Sequence, residues 1–224
     1  MKKLLLATLV LFSTFSFAQI DLSSTRYGVT IGGNYSRVRN AHNPSGAIYT
    51  FQAGGLALIP LGKDEQYYIQ PEVVYYGAGE SGKDKDAKGT PGYNAIYANK
   101  YISVPVYFKA YFSEAASEFF AMAGPRFNFL VSQKVTDPSR PYYSVEGLDI
   151  PGRGNVNGKA SSFNFALAFG IGYSYKRQVE FALKYDLGLG DTYKGLRNEP
   201  GTDPNISKKK SEQVLSVGIN YIFE

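Results

Sequence analysis

Residues 163–189 read FNFALAFGIGYSYKRQVEFALKYDLGL, two runs of strict alternation joined by the polar turn Lys176-Arg177-Gln178. In the first run Phe163, Phe165, Leu167, Phe169, Ile171, Tyr173 and Tyr175 share one parity, and Asn164, Ala166, Ala168, Gly170, Gly172 and Ser174 share the other. In the second, Val179, Phe181, Leu183, Tyr185, Leu187 and Leu189 alternate with Glu180, Ala182, Lys184, Asp186 and Gly188. Successive strand side chains point to opposite faces, so each run has one apolar, aromatic face and one small or polar face. A transmembrane barrel accounts for both, with the apolar face toward lipid and the polar face toward the lumen. A soluble periplasmic lipocalin-like barrel around a small apolar ligand is the competing reading. It would turn Phe165, Leu167, Phe169 and Phe181 inward.

The same pattern recurs outward from this hairpin. Five strands precede it: about Arg26 to Val38, Ala47 to Ile59, Gln66 to Gly77, Ala98 to Phe112 and Glu118 to Ser132. One follows, from about Glu212 to Phe223. Pro71 inside the third run would ordinarily mark an edge or a bulge. Between the strands, connections alternate long and short. The long ones are residues 39–45, 79–92, 133–160 and 191–210, read as polar loops without apolar periodicity. This gives an all-β, eight-stranded antiparallel up-and-down transmembrane β-barrel, with long loops outside and tight turns in the periplasm. At eight strands the interior is just wide enough for side chains to fill it.

The N-terminus reads as an export signal over residues 1–18. Lys2 and Lys3 form a basic start, Leu4 to Phe12 an apolar core, and Ser16-Phe17-Ala18 a peptidase site, with cleavage before Gln19. That core is shorter than the roughly 20 residues a membrane helix needs. Residues 19–224 then form a single barrel domain in the outer membrane. The formal charge of +5 falls to +3 once the two signal lysines leave, too small and scattered for nucleic acid. Mean hydropathy is slightly negative, as expected when only every second strand residue faces lipid. The chain has no cysteine, so thiolate metal sites and disulfides are excluded.

Several segments resemble the PorT-like outer-membrane β-barrel family of Bacteroidota: Ile69-Gln70-Pro71-Glu72-Val73-Val74-Tyr75, Tyr101-Ile102-Ser103-Val104-Pro105-Val106-Tyr107-Phe108-Lys109 and Ala123-Gly124-Pro125-Arg126. The resemblance spans the mature chain. It implies an outer-membrane barrel and raises a place in a type IX secretion machinery as an alternative role. The sequence departs from the usual barrel ending, since Phe223 is followed by Glu224.

The chemistry-bearing residues are few. Glu72, Lys109, Arg126, Glu180, Lys184 and Asp186 share inward parity, and their acids and bases balance. They read as a salt-bridged lumen plug, because buried charges must be paired. Glu180, Lys184 and Asp186 lie on one face of one strand, within reach of a neighbour such as Arg126. His42 is the sole histidine and sits in a polar loop among Asn40, Asn43 and Ser45. Hydrolases of this barrel size need a histidine base beside a nucleophile at a strand end, so no enzyme activity is expected. No cofactor or metal is expected either. Lys208, Lys209 and Lys210 lie where the last strand leaves the outer surface, placed to contact lipopolysaccharide phosphates. The expected protein is a monomeric, non-enzymatic barrel with a structural or interaction role. Its partners are outer-membrane lipid, lipopolysaccharide and envelope or secretion-system proteins.

Overall fold

A computed structural model describes residues 22–41, 45–62, 65–85 and 91–223. The export signal and His42 lie outside the described residues. Eight long strands form the wall: β1 (Arg26–Arg39), β2 (Ile48–Pro60), β3 (Tyr67–Lys85), β4 (Pro91–Tyr111), β5 (Glu118–Thr136), β6 (Phe163–Tyr175), β7 (Val179–Gly188) and β8 (Ser211–Ile222). Each pairs antiparallel with its chain neighbours, and β1 pairs with β8, from Gly28↔Ile222 to Arg39↔Ser211, closing the barrel. No helix among the described residues is long and apolar enough to cross a membrane.

The wall is apolar outside. Val29, Ile31, Phe108, Ile171, Leu183, Val217 and Ile219 form an exposed band. Tyr35, Tyr49, Phe51, Phe129, Phe163 and Tyr185 border it at the loop end, and Tyr27, Tyr67, Phe119, Tyr175, Tyr221 and Phe223 at the turn end. Two aromatic girdles around an aliphatic belt match a bilayer's two interfaces. Phe169 and Phe181 are exposed on the outer face. The lipocalin-like orientation is thereby overturned.

The small inner face of β6 has a packing cause. Large β5 residues lie in register beside it: Phe120↔Gly172, Met122↔Gly170 and Arg126↔Ala166. A Cβ on Gly172 would run into the Phe120 ring, and one on Gly170 would lie 2.8 Å from Met122. A wide column on one strand therefore requires a narrow one on the next, as in any close-packed interior.

The wall also corrects two sequence expectations. First, β3, β4 and β5 run past their expected ends, so most of the supposed loop at 79–92 is a ladder extending from Gly79↔Ala98 to Lys85↔Pro91. Beyond the bilayer the outer face no longer needs apolar residues, so alternation fades while the backbone ladder continues. Second, Pro71 lies inside a central strand. The β2–β3 pairs skip from Leu56↔Glu72 to Ile59↔Ile69 around it. Pro125 occupies a matching gap, where β4–β5 pairs skip from Pro105↔Arg126 to Phe108↔Ala123, and Pro105 lies in a third, where β3–β4 pairs skip from Pro71↔Val106 to Val74↔Ser103. A residue without an N–H is tolerated where the ladder is already open.

The two longest loops are folded rather than irregular. They carry the 3-10 turns Pro141–Tyr143 and Lys194–Asn198 and a small hairpin, Leu148–Ile150 with Gly154–Val156. Tyr142, Tyr143, Val156, Ala160, Tyr193 and Leu196 pack with Val38, Ala41, Ala95 and Tyr97 into one apolar cluster at the outer mouth. Tyr97 and Tyr193 rings meet at 4.9 Å, and the Tyr97 hydroxyl donates to the Tyr143 carbonyl at 2.8 Å.

Candidate functional site

Among the described residues, three ion pairs cross the lumen, and all three use β7. The even residues of β7 face inward, so one strand presents Glu180, Lys184 and Asp186 in a column. Lys109 on β4 pairs with Glu180, Glu72 on β3 with Lys184 at 2.9 Å, and Arg126 on β5 with Asp186. All six side chains are buried. Asp186 and Arg126 thus meet as neighbours on the face where the sequence places them.

Neutral groups complete each pair. Glu180 accepts from the Tyr111 hydroxyl at 2.6 Å and from Asn220 at 3.0 Å. Gln70 links two pairs, donating to Glu72 at 2.7 Å and accepting from Lys109 at 3.0 Å. Tyr76 donates to Asp186 at 2.9 Å. Each cation also lies over a ring: Lys109 4.2 Å from Phe120, Arg126 4.3 Å from Tyr76 and Lys184 5.0 Å from Tyr107. Such pairing and ring contact are what make a buried charge tolerable, although among the described residues Arg126 Nε and Asp186 Oδ1 are buried without a hydrogen-bond partner. A cavity of about 10 Å³ near Asp186, Asn164 and Glu212 admits at most about one water-sized particle.

Sequence parity reaches Gln70, Tyr76 and Tyr111, which share faces with the charges. It reaches Glu118 and Glu212 less well, because they sit at strand ends where parity alone does not decide burial. Both are buried. Glu212 accepts from Asn99 and Tyr101 at 2.9 and 2.8 Å. Arg177 carried no sequence signal, since a turn residue has no face. Its guanidinium donates to Glu118 at 2.6 Å, to the Glu65 carbonyl at 2.6 Å and to the Ser113 carbonyl at 3.3 Å. One side chain therefore ties together the three tight turns.

At the opposite end the lysine run divides. Lys208 and Lys209 are exposed, but Lys210 is buried. The Lys210 ammonium donates to the carbonyls of Asn205 and Ile206, both at 2.8 Å. This corrects the expected lipopolysaccharide contact at Lys210, whose charge is spent closing its own loop. Burial pushes that ammonium below its usual range, with Glu199 opposing the shift. Burial likewise pushes the nearby Glu199 carboxyl up to about 7, against the pull of Lys210. Beside the run a cleft of about 560 Å³ opens between Leu189, Asp191, Lys194, Arg197, Asn198, Ser207 and Lys209.

The model of the outer membrane protein beta-barrel domain family matches residues 17–194. The chain belongs to that family. It is accordingly an outer-membrane barrel protein, and its apolar belt faces lipid. Among solved structures it is similar to Ail, the attachment invasion locus protein of Yersinia pestis, in complex with the heparin analogue sucrose octasulfate. That pair is 10% identical, covers 89% of this chain and 99% of Ail, and has a TM-score of 0.41. Neisserial surface protein A is 10% identical over 88% of this chain and 97% of its own, with a TM-score of 0.41. A major outer membrane protein from Thermus thermophilus is 16% identical over 89% of this chain and 100% of its own, with a TM-score of 0.47. No curated protein matches the chain.

Proposed function

We propose that this barrel is a non-enzymatic, monomeric interaction protein of the outer membrane, whose working surface is the folded cap at its outer mouth. One observation carries this reading. The loops build an apolar core of their own from Tyr142, Tyr143, Val156, Tyr193 and Leu196, more order than tethering two strands requires. Behind the cap, the lumen is crossed by ion pairs within the protein, and the cavity beside Asp186, about 10 Å³, is too small for a transported solute. Export with cleavage before Gln19 belongs to the same reading, and N-terminal sequencing of protein from outer membranes tests it.

The test of the cap is photocrosslinking on intact cells, comparing the native barrel with one in which residues 138–160 are replaced by a short turn. The shortened barrel is expected to reach the outer membrane and lose its crosslinked envelope or surface partners. An unchanged crosslinking pattern would sink the proposal.

A PorT-like role in a type IX secretion machinery is the second reading, and the resemblance of residues 69–75, 101–109 and 123–126 favours it. In this barrel those segments supply Gln70, Glu72, Lys109 and Arg126 to the lumen pairs. Their residues thus have a use that needs no secretion partner. Crosslinks from the tight turns at 61–66, 112–117 or 176–178 to a periplasmic protein would favour secretion over the cap.

A further inference from the structure

Three properties mark the cleft beside the lysine run. It is cationic: Lys194, Arg197 and Lys209 line it against a single acid, Asp191. That acid is already engaged, its Oδ1 accepting the Lys210 backbone N–H at 3.0 Å and its Oδ2 facing Arg197 at 3.5 Å. Among the described residues, neither Lys194 nor Lys209 forms an ion pair. The cleft is also braced. The Arg197 Nε donates to the Ser207 carbonyl at 3.1 Å, which ties the 3-10 turn to the segment bearing Lys209.

Its third property is position. Leu189 is the lining residue nearest β7 in the chain, is exposed, and continues the outward parity of Leu183, Tyr185 and Leu187. Tyr185 belongs to the outer aromatic girdle. Leu189 lies four residues beyond Tyr185, just past the end of β7; at an extended rise that is about 13 Å along the chain and, with the strand tilted, about 10 Å along the membrane normal, the level of the headgroups. Cations and amide and hydroxyl groups therefore stand directly above an apolar step that continues into the lipid-facing wall.

We infer that this cleft holds the phosphorylated sugar headgroup of an outer-leaflet glycolipid, with phosphate against Lys194, Arg197 and Lys209 and an acyl chain descending over Leu189. Asn198 and Ser207 supply hydrogen-bonding groups for sugar hydroxyls. A free phosphate or sulfate would satisfy the cations but leave Leu189 unused, and this exposed apolar side chain beside the lipid-facing wall is what singles out a lipid. The inference rests on the cap facing outward and moves the expected lipid contact from the lysine run to a formed cleft.

The test uses the refolded full barrel in neutral detergent micelles and native mass spectrometry. Three probes are compared: bisphosphorylated lipid A, the same lipid without phosphates, and inorganic phosphate. Bisphosphorylated lipid A should be retained and the other two should not. Lys194→Gln/Arg197→Gln/Lys209→Gln should lower retention about a hundredfold, a factor of about five for each cation. Leu189→Asn should lower it about fivefold. The same charge change made at exposed Lys100, Lys134 and Lys159 should leave it unaltered, and Arg197→Gln alone serves if the triple variant refolds poorly. Equal loss from the control triple would reduce the effect to diffuse attraction and overturn the cleft. Equal retention of inorganic phosphate, or indifference to Leu189→Asn, would overturn the lipid. A membrane-impermeant amine reagent on intact cells separates this from the orientation. If Lys194 and Lys209 label while lipid is not retained, the cleft is wrong and the outward cap stands.

Discussion

The lumen and the cap are built from opposite halves of the same chemistry. In the membrane the barrel hides its charges and exposes its rings: Lys109, Arg126 and Glu180 are buried while Phe108, Phe169 and Phe181 are exposed. Above the outer girdle the arrangement reverses. Tyr97, Tyr193 and Leu196 are buried, and the cations of the 3-10 turn, Lys194 and Arg197, are exposed. The change occurs within a few residues of Tyr185, without a domain boundary. The solvent on the other side of the wall therefore sets the pattern, and the interior takes whatever the exterior leaves.

The comparison is most sharply broken in the lumen. Lys109→Ala strands Glu180 as a buried charge and should cost about 3–5 kcal/mol, while Lys109→Met with Glu180→Leu should cost much less. Urea unfolding in lipid vesicles reads both. Next, Ile171→Arg puts a cation in the aliphatic belt and should cost about 2–4 kcal/mol. A comparable loss in the cap, where the outer face is wet, is not expected from Lys194→Leu.

Arg177 is the third lever. With Lys176 it holds left-handed backbone, φ 51° and 53°, in the turn closed by Gln178 N–H to Tyr175 O at 3.1 Å. Arg177→Ala should cost about 1–3 kcal/mol through the released Glu118. Arg177→Gly should cost about 1 kcal/mol less than that by removing the left-handed penalty. Leu196→Ala comes lower for the barrel as a whole. It should open the cap to protease within residues 137–160 while moving the global unfolding free energy by less than about 0.5 kcal/mol, because its effect stays in a separate cooperative unit.

The smallest effect is a pH dependence of the cap. The Glu199 carboxyl is raised from an ordinary 4.5 to about 7 in the fold, so the folded cap binds its proton more tightly than the unfolded one. Its contribution is complete below about pH 4.5 and is lost as pH rises through about 7. Hydrogen exchange around residues 193–199 should quicken over that window, and Glu199→Gln should flatten the change. Lys210, Asp203, Arg140 and Glu80 also act on this carboxyl, so a profile unaltered in the variant would assign the dependence to them.

The barrel was legible because a bilayer imposes its demand on every second residue of every spanning strand. Residues 163–189 carried that demand on both faces, and the six lumen charges followed from parity. The cap was not legible for the complementary reason. Its buried residues, such as Tyr142, Val156 and Leu196, come from short pieces with no shared period, and only the closed wall brings them together. The same limit hid the extension of β3 and β4, where pairing outlasts alternation. Lys210 misled because adjacent lysines in a sequence carry no mark of which one folds back onto its own carbonyls.

The wall's hydrogen-bond ladder gives the three ion pairs a further meaning. The closing seam between β1 and β8 is continuous from Gly28 to Arg39, but Pro71, Pro105 and Pro125 thin the ladders of β3, β4 and β5. Those are the three strands that reach across to β7, one pair each. In mechanical terms the barrel is a wheel with one stiff arc and one soft arc. Its struts run from the soft arc to one strand of the same rim, β7, so the ion pairs brace across the interior the stretch where the ladder is thinned.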